Sequence, residues 1–369
     1  MNSVEKRSIV VVGGGPAGLS AAIEAGKAGA DVLVIDENSR PGGQLFKQIH
    51  KFFGSREHKA GIRGFDIGEE LLEETKRLSI DVWLNTEVCG IDSNKNLWAV
   101  KDKKESKQVA AKCIILATGA IENSINFPGW DLPGVMGAGA AQTMININRV
   151  LPGKRILMIG SGNVGVIVSY QLLQAGAEVA AIVEAAPELG GYGVHTAKVR
   201  RAGVPFYTSH TIKEAFGTDK VEGAVIVELD RNWNPIEGSE KYLDVDTVCI
   251  ATGLTPLSEL AWIAGCRFKF IPQLGGHVPI HDITMETTVK GIYVAGDISG
   301  IEEASTAMEE GKLAGVNAAY ALGYYSTKER EKKCREIWER LDSLRSGPFG
   351  EKRKKAKDAL INSKEEVAC

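Results

Sequence analysis

Paired cysteines are missing from this chain. Its six cysteines, Cys89, Cys113, Cys249, Cys266, Cys334 and Cys369, are scattered, and no two share the C-x-x-C spacing of a thiol redox site or of a zinc or iron–sulfur ligand pair. Cys113 and Cys249 stand at or near the start of apolar runs, where a thiol serves as a small buried hydrophobe. Long apolar runs are missing as well: CIILATGA falls far short of the ~20 residues that cross a bilayer. Neither sign of charge dominates, since 44 Lys and Arg face 47 Asp and Glu for a net charge of −3, which leaves no electrostatic case for nucleic acid or an anionic membrane. The start MNSVEKRSIVVV passes from polar residues into a strand without a leader or cleavage site, so a cytoplasmic location is expected. With 369 residues, 44% hydrophobic and 25% charged, the chain has the make-up of a soluble globular protein of roughly two or three domains.

What is present is a repeat. IVVVGGGPAGLSAAIEAGKAGADVLVIDE begins at Ile9 and ILMIGSGNVGVIVSYQLLQAGAEVAAIVE begins 147 residues later, at Ile156. Each is an apolar run, a G-x-G-x-x-G, a helical stretch and a second apolar run ending in an acid: a β-α-β unit written twice. The first glycine allows the tight turn and the second lets backbone approach a pyrophosphate. The third lets the helix pack so that its N-terminal amides face the phosphates, and the acid accepts from an adenosine ribose. Short strands are predicted at DVWLN, VCGID, LWAVKD and KQVAAK, and a helix from Ala304. In the charged tail after Tyr325, Cys334, Ile337, Trp338, Leu341 and Leu344 share one helical face, which either docks on its own domain or serves as a handle for another subunit.

At GGGPAGLSAAIEAGKAGADVLVIDE, ATGA, GIYVAGD and the second unit, the chain resembles the two-dinucleotide-binding-domain flavoproteins, to which glutathione and thioredoxin reductases belong. The resemblance implies an α/β fold of two Rossmann-like domains, the second inserted in the first, with a small β-meander. It places an FAD domain at 1–126 and 285–325, an NAD(P)-binding-like domain at 127–284 and a charged helical tail at 326–369. Carried over, Gly13, Gly15 and Gly18, with Pro16 and Ala17 between them, would cradle the FAD pyrophosphate, and Asp36, with Glu37 beside it, would bind ribose. Gly43 and Gln44 would run along the ribityl and flavin, Val88 would touch adenine through its backbone, and Asp297, after Gly296, would bind the ribityl hydroxyls. Amides near Ser305 and Thr306 would face the flavin, and Thr118 and Gly119 complete the cofactor-binding set. In the second unit the corresponding residues are Gly160, Gly162, Asn163, Val164, Thr252 and Gly253. There the position matching Asp36 holds Val183 and the acid comes one later, as Glu184, a displacement expected to weaken ribose recognition. No arginine follows in EAAPELGG, so a nicotinamide, if bound, would be NAD rather than NADP, with another adenine nucleotide as the alternative occupant.

The two stretches where reductases of this type carry cysteine pairs are here PGGQLFKQIHKFFG and GVMGAGAAQTMININRV, both without cysteine. Dithiol–disulfide chemistry at the flavin is excluded on that ground. FPGWDLPGVMGAGAAQ, GGQLFKQ and VEAAPELGG are similar instead to the FAD-binding α-type subunits of heteromeric amine-oxidising enzymes: dye-linked proline and hydroxyproline dehydrogenases, opine dehydrogenases, hydrogen cyanide synthase and heterotetrameric sarcosine oxidase. That likeness implies a glycine-oxidase-like flavoprotein partner and a small iron–sulfur subunit, with any FMN or [2Fe–2S] group at or in the partners, because the tail holds only Cys334 and Cys369. Catalytic candidates beside the flavin are His50 and Lys47, which could polarise a substrate or tune the flavin, with a structural role as the alternative for His50. Phe52 and Phe53 are expected to pack. His195 lies on a loop that could line a nicotinamide pocket, and His277 and His281 flank a proline in an extended stretch, so no metal site is expected. Three functions remain open: an electron-transferring FAD subunit of an amine dehydrogenase, a self-sufficient NADH-dependent flavin reductase or oxidase, and an adenine-nucleotide-binding scaffold.

Overall fold

A computed structural model describes residues 4–52 and 55–367, with side chains undescribed at 348–349 and 365–367; Phe53 and Cys369 lie outside the described residues. The first apolar run forms β1 (Glu5–Val12), followed by α1 (Pro16–Lys27) and β2 (Val32–Ile35), with Ile9 to Val12 paired in parallel with Val32 to Ile35. Next come α2 (Gly64–Arg77), β3 (Asp81–Trp83), β4 (Thr86–Ile91), β5 (Asn96–Lys101) and β6 (Glu105–Leu116). The sheet order is β3-β2-β1-β6-β5-β4. The long β6 bonds β1 in parallel along most of its length, while its first half carries the antiparallel β5 and β4, which are the expected meander.

The chain then builds a separate compact unit, residues 122–254. It holds β7 (Val135–Gly137), α3 (Ala138–Thr143) running into a π-helical turn at 144–148, β8 (Arg155–Ile159), α4 (Asn163–Gln174), β9 (Glu178–Glu184) and α5 (Gly193–Arg201). After these come β10 (Phe206–Thr208), β11 (His210–Phe216), β12 (Gly223–Glu228), β13 (Lys241–Leu243) and β14 (Thr247–Ile250). Five strands form a parallel sheet in the order β10-β9-β8-β14-β7, and β11-β12-β13 form an antiparallel one. Ile156, Met158 and Ile182 are buried with α3 and α4 residues such as Ala141 and Val166, whereas Leu157, Ile159 and Ala181 are buried with Ile212 and Ile226 of the antiparallel sheet. Alternation along each strand thus serves two apolar layers.

The outer unit comprises residues up to 121 and those from 255 onward. Its second part contains α6 (Glu259–Ile263), the hairpin β15 (Phe268–Ile271) and β16 (Gly276–Pro279), β17 (Ile292–Val294), α7 (Ala304–Ala321), α8 (Thr327–Leu344) and α9 (Gly347–Val367). β17 joins the main sheet in parallel beside Ile114 to Leu116. Residues 255–284, counted in the insertion from sequence, belong to this unit: Ala261 and Cys266 are buried with Val10, Leu33 and Leu97. The tail docks on the same unit. Ile337 and Leu341 of α8 share a core with Val11 and Ala21, and the Trp338 indole donates to the Ile283 carbonyl at 3.2 Å.

Candidate functional site

The glycine-rich turn after β1 is built so that its glycines do different work. Gly13 has φ +103°, and a Cβ there would stand 2.3 Å from the Ala117 carbonyl oxygen, so the turn between the ends of β1 and β6 admits no side chain. A Cβ at Gly18 would come within 1.8 Å of the Gly13 carbonyl oxygen, so this glycine lets α1 lie against its own turn. Gly15 is different: nothing lies within 4 Å of the Cβ it would carry. It is the N-cap of α1, no side chain caps the helix, and Pro16 occupies the first turn. An uncapped helix start with open space beside Gly15 and the positive end of the helix dipole behind it makes a cradle that fits a pyrophosphate.

Asp36, at the end of β2, closes one side of this cradle. Its buried carboxylate accepts from the Gly14 amide at 2.6 Å through Oδ2, and from the Asn38 amide and side chain at 2.8 and 2.9 Å through Oδ1. Oδ2 keeps a lone pair for a hydroxyl donor such as ribose. Glu37 beside it is exposed. Segment 41–47 closes another side, because the Gly42 amide donates to the Gly14 carbonyl at 2.6 Å and a Cβ on Gly43, at φ +54°, would touch Gly15 Cα at 3.0 Å. The Thr86 amide bonds the Asp36 carbonyl at 3.0 Å, which seats β4, and with it Val88, next to the acid's strand end. Gln44 is exposed. Lys47 and His50 are partly buried in the same loop, and Phe52 packs as expected, with Leu45, Ile67 and Met308. The His50 ring stacks on Phe52 at 6.0 Å.

A second helix N-terminus is brought to the same end of the sheet. α7 lies directly on α1, and two glycines make the approach possible: a Cβ at Gly311 or Gly315 would stand 2.1 or 2.3 Å from the carbonyl oxygen of Ala17 or Ala21. Sequence reasoning passed over this pair, whose signal is a small residue every four positions along one helix face. Ser305 and Thr306 are buried in the first turn of α7, and Asp297 sits in the short turn Gly296–Ser299 that precedes it. Burial first, and then Glu310, push the Asp297 carboxyl up to about 6, against a hydrogen bond from the Glu302 amide that lowers it. Thr118 donates to the Leu257 carbonyl at 2.5 Å, and Gly119 has φ +77°.

The inner unit repeats the cradle in detail. Gly160 has φ +103° and would meet the Ala251 carbonyl oxygen at 2.2 Å, Gly165 would meet that of Gly160 at 2.1 Å, and Gly162 has nothing within 4 Å. The acid is where it should be. β9 carries a bulge: Val179 pairs with Ile156 but Ala181 with Leu157, so Ala180 is an extra residue, and Ile159 faces Val183 as Val12 faces Ile35. Glu184 therefore follows Val183 as Asp36 follows Ile35. Its Oε2 accepts from the Ser161 amide at 3.0 Å, and its Oε1 from the Ala186 amide at 3.0 Å, matching the Asp36 bonds to Gly14 and Asn38. The expected displacement of the acid is corrected: it exists in residue count and not in space. One residue further along, Gly190-Gly191 take the place of Gly42-Gly43, with Gly190 donating to Ser161 Oγ at 3.0 Å and Tyr192 to Asn163 Oδ1 at 2.9 Å. Val164 is exposed on the first turn of α4, and Thr252 donates to the Asn123 carbonyl at 3.2 Å beside Gly253 at φ +114°.

Among the described residues every cysteine is unpaired. Burial pushes the Cys113 thiol up to about 11 and the Cys249 thiol up to about 12, so both stay protonated and inert. His195 lies buried in the first turn of α5, its pKa lowered by burial and then by Lys198. His277 is exposed, edge-on to Phe270, while His281 is buried with Nδ1 at 3.0 Å from the Pro279 carbonyl.

Residues 7–311 match the family described as pyridine nucleotide-disulphide oxidoreductase. An opine oxidase subunit from Agrobacterium tumefaciens (strain Ach5) is 31% identical over 345 residues, covering 86% of this chain and 66% of that protein. Hydrogen cyanide synthase subunit HcnB of Pseudomonas aeruginosa is 29% identical, covering 84% of this chain and 70% of that protein. The chain thus spans about two thirds of the opine oxidase polypeptide's length. T. acidophilum thioredoxin reductase shares the fold, with a TM-score of 0.70 at 21% identity over 86% of this chain and 99% of that one. Among the described residues no helix is long and apolar enough to cross a membrane. With two matching cradles and a family match over most of its length, the chain belongs to the pyridine nucleotide-disulphide oxidoreductases and is an FAD-dependent oxidoreductase.

Proposed function

We propose that this chain is the electron-transferring FAD subunit of a heteromeric amine or imino-acid dehydrogenase of the proline, hydroxyproline or opine type. The observation that carries the reading is a complete pair of dinucleotide cradles with no thiol pair in either stretch where the reductases keep one. FAD, when bound, supplies a carrier that accepts and passes on electrons without a dithiol. In this reading the outer unit holds FAD through Gly13, Gly15, Gly18 and Asp36, with Asp297 on the ribityl chain and the first turn of α7 facing the flavin. Gly43 and Gln44 line the same path, and Lys47 and His50 shield or polarise what approaches it. A glycine-oxidase-like flavoprotein subunit would oxidise the amine, with a small iron–sulfur subunit completing the relay. The naming of the opine oxidase and hydrogen cyanide synthase relatives as subunits supports a heteromeric assembly.

A second reading, a self-sufficient NADH-dependent flavin reductase, is favoured by one feature: Glu184 makes the same amide bonds as Asp36 and no arginine lies in 185–192, a donor set suited to the ribose hydroxyls of NAD. One experiment separates them. The chain is purified alone, its flavin spectrum recorded, and NADH added without oxygen. The subunit reading expects a yellow protein whose flavin band persists, and which co-purifies with a second flavoprotein from its native source. Rapid bleaching of the chain alone would favour the reductase. A colourless chain that still binds adenine nucleotide would overturn both.

A further inference from the structure

Two cations from the C-terminal helices end beneath the turn that carries Asp297. Glu310, on α7, is buried. Its Oε2 accepts from the Gly296 amide at 3.1 Å and from Ser299 Oγ at 2.6 Å, and so fastens both ends of the Gly296–Ser299 turn. Its Oε1 accepts from Lys357 Nζ of α9 at 2.7 Å and from Arg345 Nη2, at the end of α8, at 2.6 Å. Arg345 also forks onto Glu302 at 2.6 and 3.1 Å, and Lys357 donates to the Ser299 carbonyl and hydroxyl at 2.7 and 2.9 Å. All four charged side chains are exposed by 4% or less. At the rim, Arg353 bonds Glu303, the N-cap of α7, at 2.6 Å.

A buried ion network is a poor way to gain stability, because desolvation cancels most of its attraction. Its location suggests another use. Glu302, Glu303 and Glu310 put negative charge around a helix N-terminus whose positive end is needed next to an electron acceptor, and the three cations cancel it. We propose that α8 and α9 are an electrostatic clamp on the cofactor site: Lys357 and Arg345 are positioning residues that neutralise Glu310 and Glu302, hold the Asp297 turn, and set how tightly the flavin is held and how readily it is reduced. This rests on the reading that the outer unit holds FAD.

The test uses the full chain loaded with FAD and compares Lys357→Met, Glu310→Gln and the double variant for FAD retention and flavin midpoint potential. Lys357→Met, which leaves one negative charge uncancelled, is expected to weaken FAD binding at least tenfold and move the midpoint negative. Glu310→Gln should move it positive, and the double variant should return it to the wild-type value. A structural role alone would weaken binding in both single variants without opposite shifts, and that result, or no change in either, overturns the clamp. Should Lys357→Met fail to fold, Glu310→Gln against the double variant carries the same sign test. Lys354→Met, which removes a cation paired with the exposed Asp342, is the unchanged control. A wild-type chain that holds no FAD would sink the cofactor reading and the clamp together.

Discussion

Replacing Gly15 by alanine separates a glycine needed for folding from one needed for a ligand. The added methyl would have no protein atom within 4 Å, and φ is −76°, which alanine adopts freely. Alanine is the poorer N-cap, but it stiffens the unfolded chain by about 0.4–1 kcal/mol, so the two effects offset and the unfolding free energy of the cofactor-free protein should move by less than ~1 kcal/mol. Binding should respond differently. A methyl where the pyrophosphate must touch backbone is overpacking, which costs about 1–3 kcal/mol, or roughly 5- to 150-fold in Kd. Gly18→Ala is the contrast, because its Cβ would stand 1.8 Å from the Gly13 carbonyl oxygen and the fold itself must give way. Denaturant unfolding of the cofactor-free proteins and FAD titration by fluorescence quenching measure both quantities. The reasoning is refuted if Gly15→Ala binds FAD within twofold of wild type while Gly18→Ala keeps full stability.

Glu184 is held by the Ser161 amide and hydroxyl and the Ala186 amide with its charge free to accept from a ribose hydroxyl; Glu184→Gln removes that charge, so adenine-nucleotide affinity measured by calorimetry should fall about tenfold or more with FAD retention unchanged, since a hydrogen bond to a charged group contributes about 1.5–3 kcal/mol. His281 is buried neutral, its pKa pushed down to about 4 by burial and then by Lys357. Its folded pKa lies below its unfolded one, so its contribution is complete above pH 6.5 and disappears as pH falls through 4; the denaturant midpoint should drop across that window by the equivalent of about 3 kcal/mol, and His281→Gln should flatten the curve. Alkylation followed by mass spectrometry at pH 8 should label the exposed Cys89 first and leave Cys113 and Cys249 unmodified until the protein unfolds.

The architecture of the glycine-rich turns was largely legible because its signals are local. The glycines of each turn, the acid closing β2, and the helix start at Ala304 sit within one β-α-β unit or one element boundary, where spacing alone fixes geometry. The bulge at Ala180 was not legible: EVAAIVE reads as an even apolar run, and nothing in it marks which residue loses its ladder partner. That one residue displaced the acid in the count and hid the match between Gly42-Gly43 and Gly190-Gly191. The Glu310 network was invisible for another reason. Its partners stand 35 and 47 residues away on helices that look merely charged and solvated, and only docking of those helices makes Arg345 and Lys357 buried. The tail's apolar stripe was readable, but which surface it covers depends on Ala21 and Val11, far off in sequence.

The placement of β17 has a consequence for how the chain is made. Residues 122–254 form an uninterrupted unit that can close as soon as they leave the ribosome, whereas the main sheet receives Ile292–Val294 only later, beside Ile114 to Leu116. Until then the Ile114–Leu116 end of β6, whose first half is already paired with β5, presents a short unpaired apolar edge, the kind of surface that recruits other strands. Synthesis therefore finishes the inserted unit before the one that began first, and the emerging outer half is the stage at which a chaperone would matter.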